Sequence, residues 1–387
     1  MKCRISALLF AAVVSLSAQT SWLSAPEQIA PGVEYFTSTD QTLADPPGPT
    51  AVYLLKLDPA KVALDSVHAK DQIMGLDTVD VIAKSHGAIA AVNAGFFNVK
   101  TGDPATVLKI AGELVSDATM TRGVVLINSP ARGMTSLDFD QVGAKQELRF
   151  VAGGQAFAVP IDGVDTTRAI GKLMLYSPMY NADSDTAPTG TEWVISGKPL
   201  TVKSVRRNAG HTRIPKDGFV LSYGGTDLPS PLAQLTPRVQ VNLKTNWVSL
   251  NALSSDELES AEHIVNGAGL LRRHGTPLTE WKAEALSGPA FTETRHPRTM
   301  IGVDDKGFIW LGAIDGRQPD RAVGMNFPEL QRLCDRLHLT DALNLDGGGS
   351  TTMVVKGEIK NKPSDATGPR PVSDALIVRT RSEKSPR

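Results

Sequence analysis

The chain has 387 residues, of which 41% are hydrophobic and 21% are charged, as is typical of a globular protein with one or two domains. Its formal net charge is −1, and its basic residues form no cluster interleaved with aromatic side chains. We therefore expect no nucleic-acid partner and no electrostatic attraction to an anionic membrane.

The N-terminal segment predicts export. Lys2 and Arg4 precede an apolar run over residues 5–16, and small residues follow that run. This order is typical of a secretory signal peptide, and the run is too short to span a bilayer stably. The alternative is a buried first strand. We predict a signal peptide and leader over 1–25, and a secreted or periplasmic protein without stable membrane insertion.

The next part of the chain predicts a leader and then a sheet. Residues 26–50 are rich in proline, serine, threonine and glycine, which indicates an extended leader with a turn. Apolar patterns then predict strands and one helix up to residue 128. One strand, 88–92, ends in Asn93-Ala94-Gly95-Phe96-Phe97. Such an end suits a sugar-binding rim; the alternative is a loop whose two phenylalanines fill the core.

The middle segment, 129–261, changes in character. Short β-like runs are separated by turns about every ten residues, which predicts a β-rich insertion. Residues 181–185 superficially resemble a calcium loop, but the glycine at position six and the distal glutamate of an EF-hand are missing. We interpret these residues as a polar turn.

The C-terminal third contains three further strand ends with polar residues. A strand leads to Asn266, a predicted hairpin ends at Asp315, and a later strand ends at Asp346. Between the last two, Asn326 and Glu329 have the spacing of a capping box and predict the start of a helix. Loops at strand ends are where folds commonly place function.

The last of these strand ends has an unusual glycine content. Asp346 is followed by three glycines and two hydroxyl residues: Gly347, Gly348, Gly349, Ser350 and Thr351. Glycine has no Cβ to keep a ligand at a distance, so this turn is able to bring backbone amides against a bound molecule. A carboxylate beside amides and hydroxyls suits a sugar or a phosphate. The alternative is a tight turn between core strands, for which one glycine is enough.

Two carboxylates are what acetal hydrolysis requires, because one acid protonates the leaving oxygen and one base or nucleophile acts at the anomeric carbon. Asp315 and Asp346 are the candidates. Arg298 and Arg317 add positive charge with a fork geometry that suits phosphate or carboxylate. We therefore expect a phosphorylated or otherwise anionic glycan as the partner. The alternatives are turn caps for the aspartates and surface ion pairs for the arginines.

Other catalytic schemes find no support in the sequence. There is no Gly-x-Ser-x-Gly elbow, no lysine after the glycines as in a Walker motif, and no His-Glu-x-x-His zinc motif. We predict no cofactor and no metal ligands. A divalent metal at the aspartate-rich turns is compatible with the sequence, but no spacing demands one.

Six motifs occur in a defined order: Asn93-Ala94-Gly95-Phe96-Phe97, Asn266-Gly267, Arg298-Thr299-Met300-Ile301-Gly302, Asp315-Gly316-Arg317-Gln318, Asn344-Leu345-Asp346-Gly347-Gly348-Gly349-Ser350-Thr351-Thr352 and Asn361-Lys362-Pro363-Ser364-Asp365. In this order they resemble the phosphodiester glycosidase family over about residues 50–128 and 262–378. The resemblance implies a hydrolase that cleaves a sugar-1-phosphodiester, releasing the sugar and leaving a phosphomonoester. It also implies an α/β (α+β) fold of mixed β-sheets flanked by helices.

The resemblance directs the assignment of the site. We predict Asp346 as nucleophile or base, Asp315 as acid or sugar-orienting group, and Arg298 as phosphate clamp. The predicted substrate-binding residues, with the glycine amides on phosphate oxygens, are Asn93, Phe97, Asn266, Thr299, Arg317, Asn344, Gly347, Gly348, Gly349, Ser350, Thr351 and Asn361. A non-catalytic glycan-binding or envelope-assembly protein with the same pocket is the alternative, and a phosphodiesterase that cuts the P–O bond is a third possibility.

The predicted domain organisation has four parts. They are the signal peptide and leader (1–25), the catalytic domain (26–128 and 262–380), the β-rich insertion (129–261) and a disordered tail (381–387).

Overall fold

The computed structural model describes residues 22–286 and 288–381. Most of the predicted signal peptide and nearly all of the predicted tail therefore lie outside the described residues. Within the described part of the chain, no helix is both long enough and apolar enough to cross a membrane.

Strands dominate the structure, with 44% of residues against 12% in helices. The strands of the described residues are β1 (Glu27–Ala30), β2 (Val33–Ser38), β3 (Val52–Leu57), β4 (Val62–His68), β5 (Ala90–Asn93), β6 (Leu108–Ile110), β7 (Glu113–Ser116), β8 (Ala118–Asn128), β9 (Ser136–Ala152), β10 (Gln155–Pro160), β11 (Gly163–Val164), β12 (Leu173–Tyr176), β13 (Gly190–Ser196), β14 (Thr201–Ala209), β15 (Gly218–Gly224), β16 (Val241–Ser249), β17 (His263–Asn266), β18 (Leu270–Arg273), β19 (Thr276–Pro277), β20 (Arg298–Asp304), β21 (Ile309–Ile314), β22 (Leu339–Asn344), β23 (Met353–Val355), β24 (Glu358–Ile359) and β25 (Asp374–Thr380). The α-helices are α1 (Val79–Ser85), α2 (Ser230–Ala233), α3 (Ser255–Ser260), α4 (Pro289–Thr292) and α5 (Phe327–Arg336). Single 3-10 turns occupy Gln41–Leu43, Ala69–Asp71, Lys282–Glu284 and Gly348–Ser350.

The largest sheet has eight strands in the order β1-β2-β3-β21-β20-β22-β18-β19. Helix α5 covers one face of it, and the buried Leu330, Leu333 and Cys334 pack there. The predicted capping box is confirmed: the Glu329 amide donates to Asn326 Oδ1, and the Asn326 amide donates to a Glu329 carboxylate oxygen, both at 2.9 Å.

Two further sheets share a core with the largest one. A five-stranded sheet has the order β24-β23-β5-β25-β4, and a second sheet has the order β10-β9-β8-β17-β6-β7, with β16 paired to β9. Apolar residues from all three sheets form one buried cluster that includes Leu55, Val92, Val265, Ile301 and Leu376. Burial of this shared core is the main stabilising contribution, and it fixes the strand ends that carry the motifs.

The fourth sheet lies in the middle of the chain. It has the order β11-β12-β15-β13-β14 and packs against β9, β10 and β16 around the buried Trp193. The short strands predicted there are present. The limits of the insertion stay a prediction, because β9 and β16 also belong to the sheet that carries β17.

Two expectations need correction. The predicted leader is wrong as far as residues 27–38 are concerned, because β1 and β2 form the edge of the eight-stranded sheet and Val33 is fully buried. The polar composition of the segment concealed its strand character. The expected flanking by helices holds only in part: the sheets are mainly antiparallel, and only α1 and α5 exceed six residues among the described helices.

Candidate functional site

The strand ends with polar motifs converge at one place. The Asn93 Nδ2 donates to the Asp346 carbonyl at 2.7 Å, and Thr299 Oγ1 donates to Asn93 Oδ1 at 2.7 Å. The Phe96 amide donates to Asn266 Oδ1 at 2.8 Å. The structure therefore brings residues that are far apart in sequence into one cluster, which is the candidate site.

Asn93 belongs to the framework of this cluster. It is 1% exposed, its Nδ2 is used by Asp346, and its Oδ1 accepts from Thr299 Oγ1 and from the Thr352 amide at 3.1 Å. Both polar atoms of its side-chain amide therefore have partners within the protein, and they hold the turn that begins at Asp346. The ligand contact predicted for Asn93 finds no support in this geometry.

Asp315 is also fully engaged. Its carboxylate accepts from Asn361 Nδ2 at 3.0 Å, from the Lys362 amide at 3.0 and 3.1 Å, and from Arg321 Nη1 at 2.5 Å. Asn361 in turn accepts from the Met353 amide at 2.8 Å and donates to a backbone carbonyl. A buried carboxylate whose oxygens already accept from three residues of the protein has little capacity left for a substrate. The geometry favours a positioning role for Asp315 and Asn361.

Arg298 fastens a loop. It is 2% exposed, its Nε donates to the Met325 carbonyl at 2.9 Å, and its Nη2 donates to the carbonyls of Phe291 and Thr294 at 2.6 and 3.2 Å. The guanidinium also lies about 5 Å from the rings of Phe291 and Phe327. Burial, with the nearby Arg317 cation, lowers the pKa of Arg298 to about 10. These contacts are those of a structural residue more than of a phosphate clamp.

Two other arginines lie on the triglycine turn. The predicted Arg317 is exposed, and a Cβ placed on Gly348 would be 3.0 Å from its Nη2. Arg370 was missed by the sequence analysis, and a Cβ placed on Gly349 would be only 2.2 Å from its Nη2. Arg370 is held by Asp365 at 2.9 Å. The glycines are therefore needed to let two guanidinium groups approach the backbone.

The turn amides are mostly occupied. The Gly347 amide donates to Asp346 Oδ1, and the Gly348 amide donates to the Pro297 carbonyl, both at 2.9 Å. Gly348 has φ of 62°, a left-handed conformation that glycine adopts without steric cost. Of the three glycine amides, only that of Gly349 lacks an acceptor within the described part of the chain. The predicted row of free amides is thus reduced to one.

Asp346 itself is partly exposed, at the start of this turn. Burial raises the pKa of its carboxyl to about 6, and the Gly347 amide and the Arg370 cation partly offset that effect. The raised pKa separates Asp346 from an ordinary surface carboxylate, and perturbed carboxyls of this kind are common at functional sites.

A second carboxyl, Asp374, was missed by the sequence analysis. It is 1% exposed and accepts from the Gly95 amide at 3.1 and 3.2 Å and from Ser373 Oγ at 2.9 Å. Burial raises the pKa of Asp374 to about 6, and its charge in turn raises the pKa of Asp346. Asp374 opens β25, where no glycine turn signals its role, and the pairing of Ala375 with Asn93 brings it to the site.

Four buried polar atoms in the site have no hydrogen-bond partner among the residues that the structure describes: Asn266 Nδ2, Asn344 Oδ1, Ser350 Oγ and Thr352 Oγ1. Leaving a buried polar group unpaired costs about 1–3 kcal/mol. Such groups in native proteins call for an explanation, and a polar ligand is one. Asn266, Asn344 and Ser350 are therefore the predicted binding residues whose side chains still have a donor or acceptor available for a ligand.

The remaining predicted residues occupy the border of the cluster. Thr351 Oγ1 lies 3.4 Å from Thr299 Oγ1. Phe97 is partly buried and packs beside the core under α1, in keeping with the core alternative, but its loop also borders a cavity.

Two groups of acidic and histidine side chains in the described residues have ligand atoms within 4.8 Å of one another: Asp65 with Glu262 and His263, and Asp183 with Asp185 and His211. Neither group includes Asp315 or Asp346. The second group contains the predicted polar turn, whose aspartates lie 3.5 and 3.7 Å from His211 Nδ1 at the surface.

Comparison with known proteins supports the sequence resemblance. Residues 189–379 match the family model described as phosphodiester glycosidase. The bovine N-acetylglucosamine-1-phosphodiester alpha-N-acetylglucosaminidase is 27% identical over 199 residues, which cover 46% of this chain and 37% of that protein. The human protein of the same name is 39% identical over 159 residues, covering 38% of this chain and 30% of that protein. The matched part of the chain thus spans about a third of the length of these curated relatives.

The fold also has a solved counterpart. The crystal structure of a hypothetical protein from Synechocystis has a TM-score of 0.73 and 20% identity, over 90% of this chain and 62% of that chain. That likeness concerns the fold alone.

The matched region has clear limits. It begins at residue 189, within the predicted insertion, and it contains Asn266, Asp346 and Asp374 but not Asn93. With the curated relatives, this match shows that residues 189–379 of the chain are similar to the phosphodiester glycosidase family.

Proposed function

We propose that this protein hydrolyses a sugar-1-phosphodiester at the glycosidic C–O bond, releasing the sugar and leaving a phosphomonoester. The observation that carries the proposal is Asp346, a carboxyl with raised pKa at a turn on which Arg317 and Arg370 lie. The names of the bovine and human relatives supply the reaction class. The substrate is an anionic glycan whose sugar identity is left open by the proposal.

The proposed division of labour follows from charge. Above pH 6 Asp346 is largely ionised and acts as nucleophile or base at the anomeric carbon. Arg317, Arg370 and the Gly349 amide bind the phosphate oxygens, where negative charge increases as the C–O bond breaks. A phosphomonoester has a second pKa of about 6, so it leaves readily without a strong general acid. One catalytic carboxylate is therefore sufficient.

Asp374 and Asp315 have supporting roles in this scheme. Asp374 holds the Gly95 amide and thereby the loop that carries Phe96 against Asn266. Its charge also keeps the pKa of Asp346 high. Asp315 holds the loop of Asn361 through two hydrogen-bonded contacts.

We further propose that the protein is exported. The support is the N-terminal pattern of basic residues followed by an apolar run, which is typical of a signal peptide. Fractionation of cells that express the full chain tests this point, and a protein confined to the cytoplasm with an intact N-terminus would contradict it.

The test of activity offers purified protein a panel of sugar-1-phosphodiesters. We expect turnover, and a loss of roughly 100-fold or more in kcat for Asp346→Asn. Asp305→Asn, at an exposed hairpin turn, is the matched control and should keep full activity. No turnover together with retained glycan binding would favour the non-catalytic alternative. Full activity of Asp346→Asn would refute the proposed mechanism.

The bond that breaks is tested with labelled water. Cleavage of the C–O bond places the solvent oxygen on the released sugar. Label on the phosphate would instead show a phosphodiesterase that cuts the P–O bond.

A further inference from the structure

A cavity of about 410 Å³ lies between the loop after β5 and the segment that leads into β11. Its walls include Phe97, Asn98 and Pro104 on one side and Asp162 and Asp165 on the other. The volume falls in the range of roughly 300–1,000 Å³ that small-molecule sites have. None of the residues placed in the candidate site lines this cavity apart from Phe97.

Four aspartates line the cavity and make it acidic: Asp103, Asp117, Asp162 and Asp165. Two of them are paired, Asp117 with Lys145 at 3.3 Å and Asp162 with Lys172 at 2.9 Å. No lysine or arginine of the described residues lies within ion-pair distance of the other two.

The two unpaired aspartates differ in their state. Asp165 is buried, accepts from the amide and the hydroxyl of Ser177 at 2.7 and 2.6 Å, and burial raises its pKa to about 7. Asp103 is only partly buried, and its carboxylate accepts from Thr101 Oγ1. Asp103 is therefore the carboxylate of the cavity that has neither an ion-pair partner among the described residues nor full burial, and it keeps acceptor capacity for a ligand. Carboxylates accept hydrogen bonds and do not donate them, so the cavity suits a group rich in donors.

The cavity also has an apolar wall. Phe97 is partly buried and Pro104 pairs with it across the loop. An apolar wall beside polar acceptors matches a sugar ring, which has C–H faces and a rim of hydroxyl or amino groups. An anionic group would be repelled by Asp103.

The cavity is close to the proposed catalytic residue. The Asp346 amide donates to the Ala94 carbonyl at 3.0 Å, and three residues of extended chain, from Ala94 to Phe97, span at most about 10 Å. The cationic groups Arg317 and Arg370 lie instead on the triglycine turn. The two ends of a bound substrate thus meet opposite charges.

We propose that this cavity is a subsite for an amino sugar with a free amine, next to the phosphodiester that Asp346 attacks. The proposal rests on the proposed function, since it gives the substrate a cationic unit beside its phosphate. Asp103 accepts from the protonated amine, and the ring packs on Phe97.

Binding of simple sugars to the full chain tests this directly. Glucosamine, glucose and glucuronate are titrated separately and followed by ligand-observed NMR at pH 7. We expect glucosamine to bind more tightly than glucose, and glucuronate not to bind. Asp103→Asn should weaken glucosamine binding about tenfold, the loss of one charge-assisted hydrogen bond, and leave glucose binding nearly unchanged. Asp227→Asn changes an exposed carboxylate of the middle segment that does not line the cavity, and it should have no effect.

A second variant keeps the test sharp if Asp103→Asn folds poorly by circular dichroism. Phe97→Leu should weaken glucosamine and glucose equally. The subsite would be overturned if glucuronate bound as tightly as glucosamine or if glucosamine did not bind. It would also be overturned if Asp103→Asn and Asp227→Asn changed glucosamine binding to the same extent. Turnover of a phosphodiester with no glucosamine binding overturns the subsite alone, whereas glucosamine binding without turnover of any phosphodiester overturns the proposed function.

Discussion

Replacing Asp346 by asparagine should make the protein more stable at neutral and alkaline pH while abolishing activity. Burial raises the pKa of Asp346 from 3.8 to about 6, so the folded state binds its proton more tightly than the unfolded state does. Folding stability therefore falls as pH rises from about 4 to about 6 and is level above that range. An asparagine never ionises, so the variant lacks this decline.

The size of the effect follows from the shift. About two pKa units correspond to about 3 kcal/mol at 1.36 kcal/mol per unit. The side chain is partly exposed and Arg370 lies nearby, so solvent and counter-charge reduce the expected gain to roughly 1–2 kcal/mol. Asparagine keeps an acceptor for the Gly347 amide, so that hydrogen bond is conserved.

Urea unfolding of both proteins at pH 4 and pH 8 measures this difference. We expect similar free energies of unfolding at pH 4 and a more stable variant at pH 8. Asp315→Asn is the contrasting variant, because it leaves Arg321 and the Lys362 amide with a weaker partner, and it should lose roughly 2–4 kcal/mol at pH 8. If Asp346→Asn is less stable than the unchanged protein at pH 8, the reasoning that the ionised Asp346 lowers folding stability is refuted.

Three other outcomes are expected. Arg298→Lys should lower stability by roughly 2–3 kcal/mol in thermal unfolding, because a single ammonium nitrogen cannot take the positions of the two guanidinium nitrogens that donate to three carbonyls. Arg317→Ala should keep stability and raise KM, and the reverse pattern would contradict the placement of these arginines. Gly349→Ala should disrupt the site and lower kcat/KM, because the new Cβ would meet Arg370. Gly357→Ala is the control: its φ is 79° and no described atom lies within 4 Å of the new Cβ, so it should cost only about 1 kcal/mol of stability and leave activity unchanged. The pH profile of kcat/KM should rise through an apparent pKa of about 6 as Asp346 ionises, and a flat profile between pH 5 and 8 would exclude that carboxyl as base or nucleophile.

Much of the local structure was predictable because it depends on short-range signals. The capping box of Asn326 and Glu329 specifies the start of α5, and the alternation around Leu343 specifies β22. The leader was mispredicted because β1 and β2 become strands only through tertiary pairing, β1 with β2 and β2 with β3, which composition does not reveal. Tertiary pairing overrides weak local preference at a sheet edge.

The site was predictable in its location but less so in its roles. Turn signals identified Asp315 and Asp346 alike, yet only the packing shows that the first meets Arg321 and the Lys362 amide while the second keeps spare capacity. Asp374 and Arg370 reach the site through strand pairing and loop packing. No sequence spacing indicates either of them.

Residues that hold this site in place differ from residues that are free to bind or react in how many of their polar atoms have hydrogen-bond partners. Asn93 and Asp315 are buried and have a full set of partners, and both hold neighbouring strand ends in place. Asp346 has a raised pKa, and Asn266 and Ser350 have buried atoms without a partner. Each of these groups lowers stability in the free protein, and each would gain from a polar ligand. The same physical criterion therefore explains why Asp315→Asn should destabilise the protein, whereas Asp346→Asn should inactivate it and make it more stable.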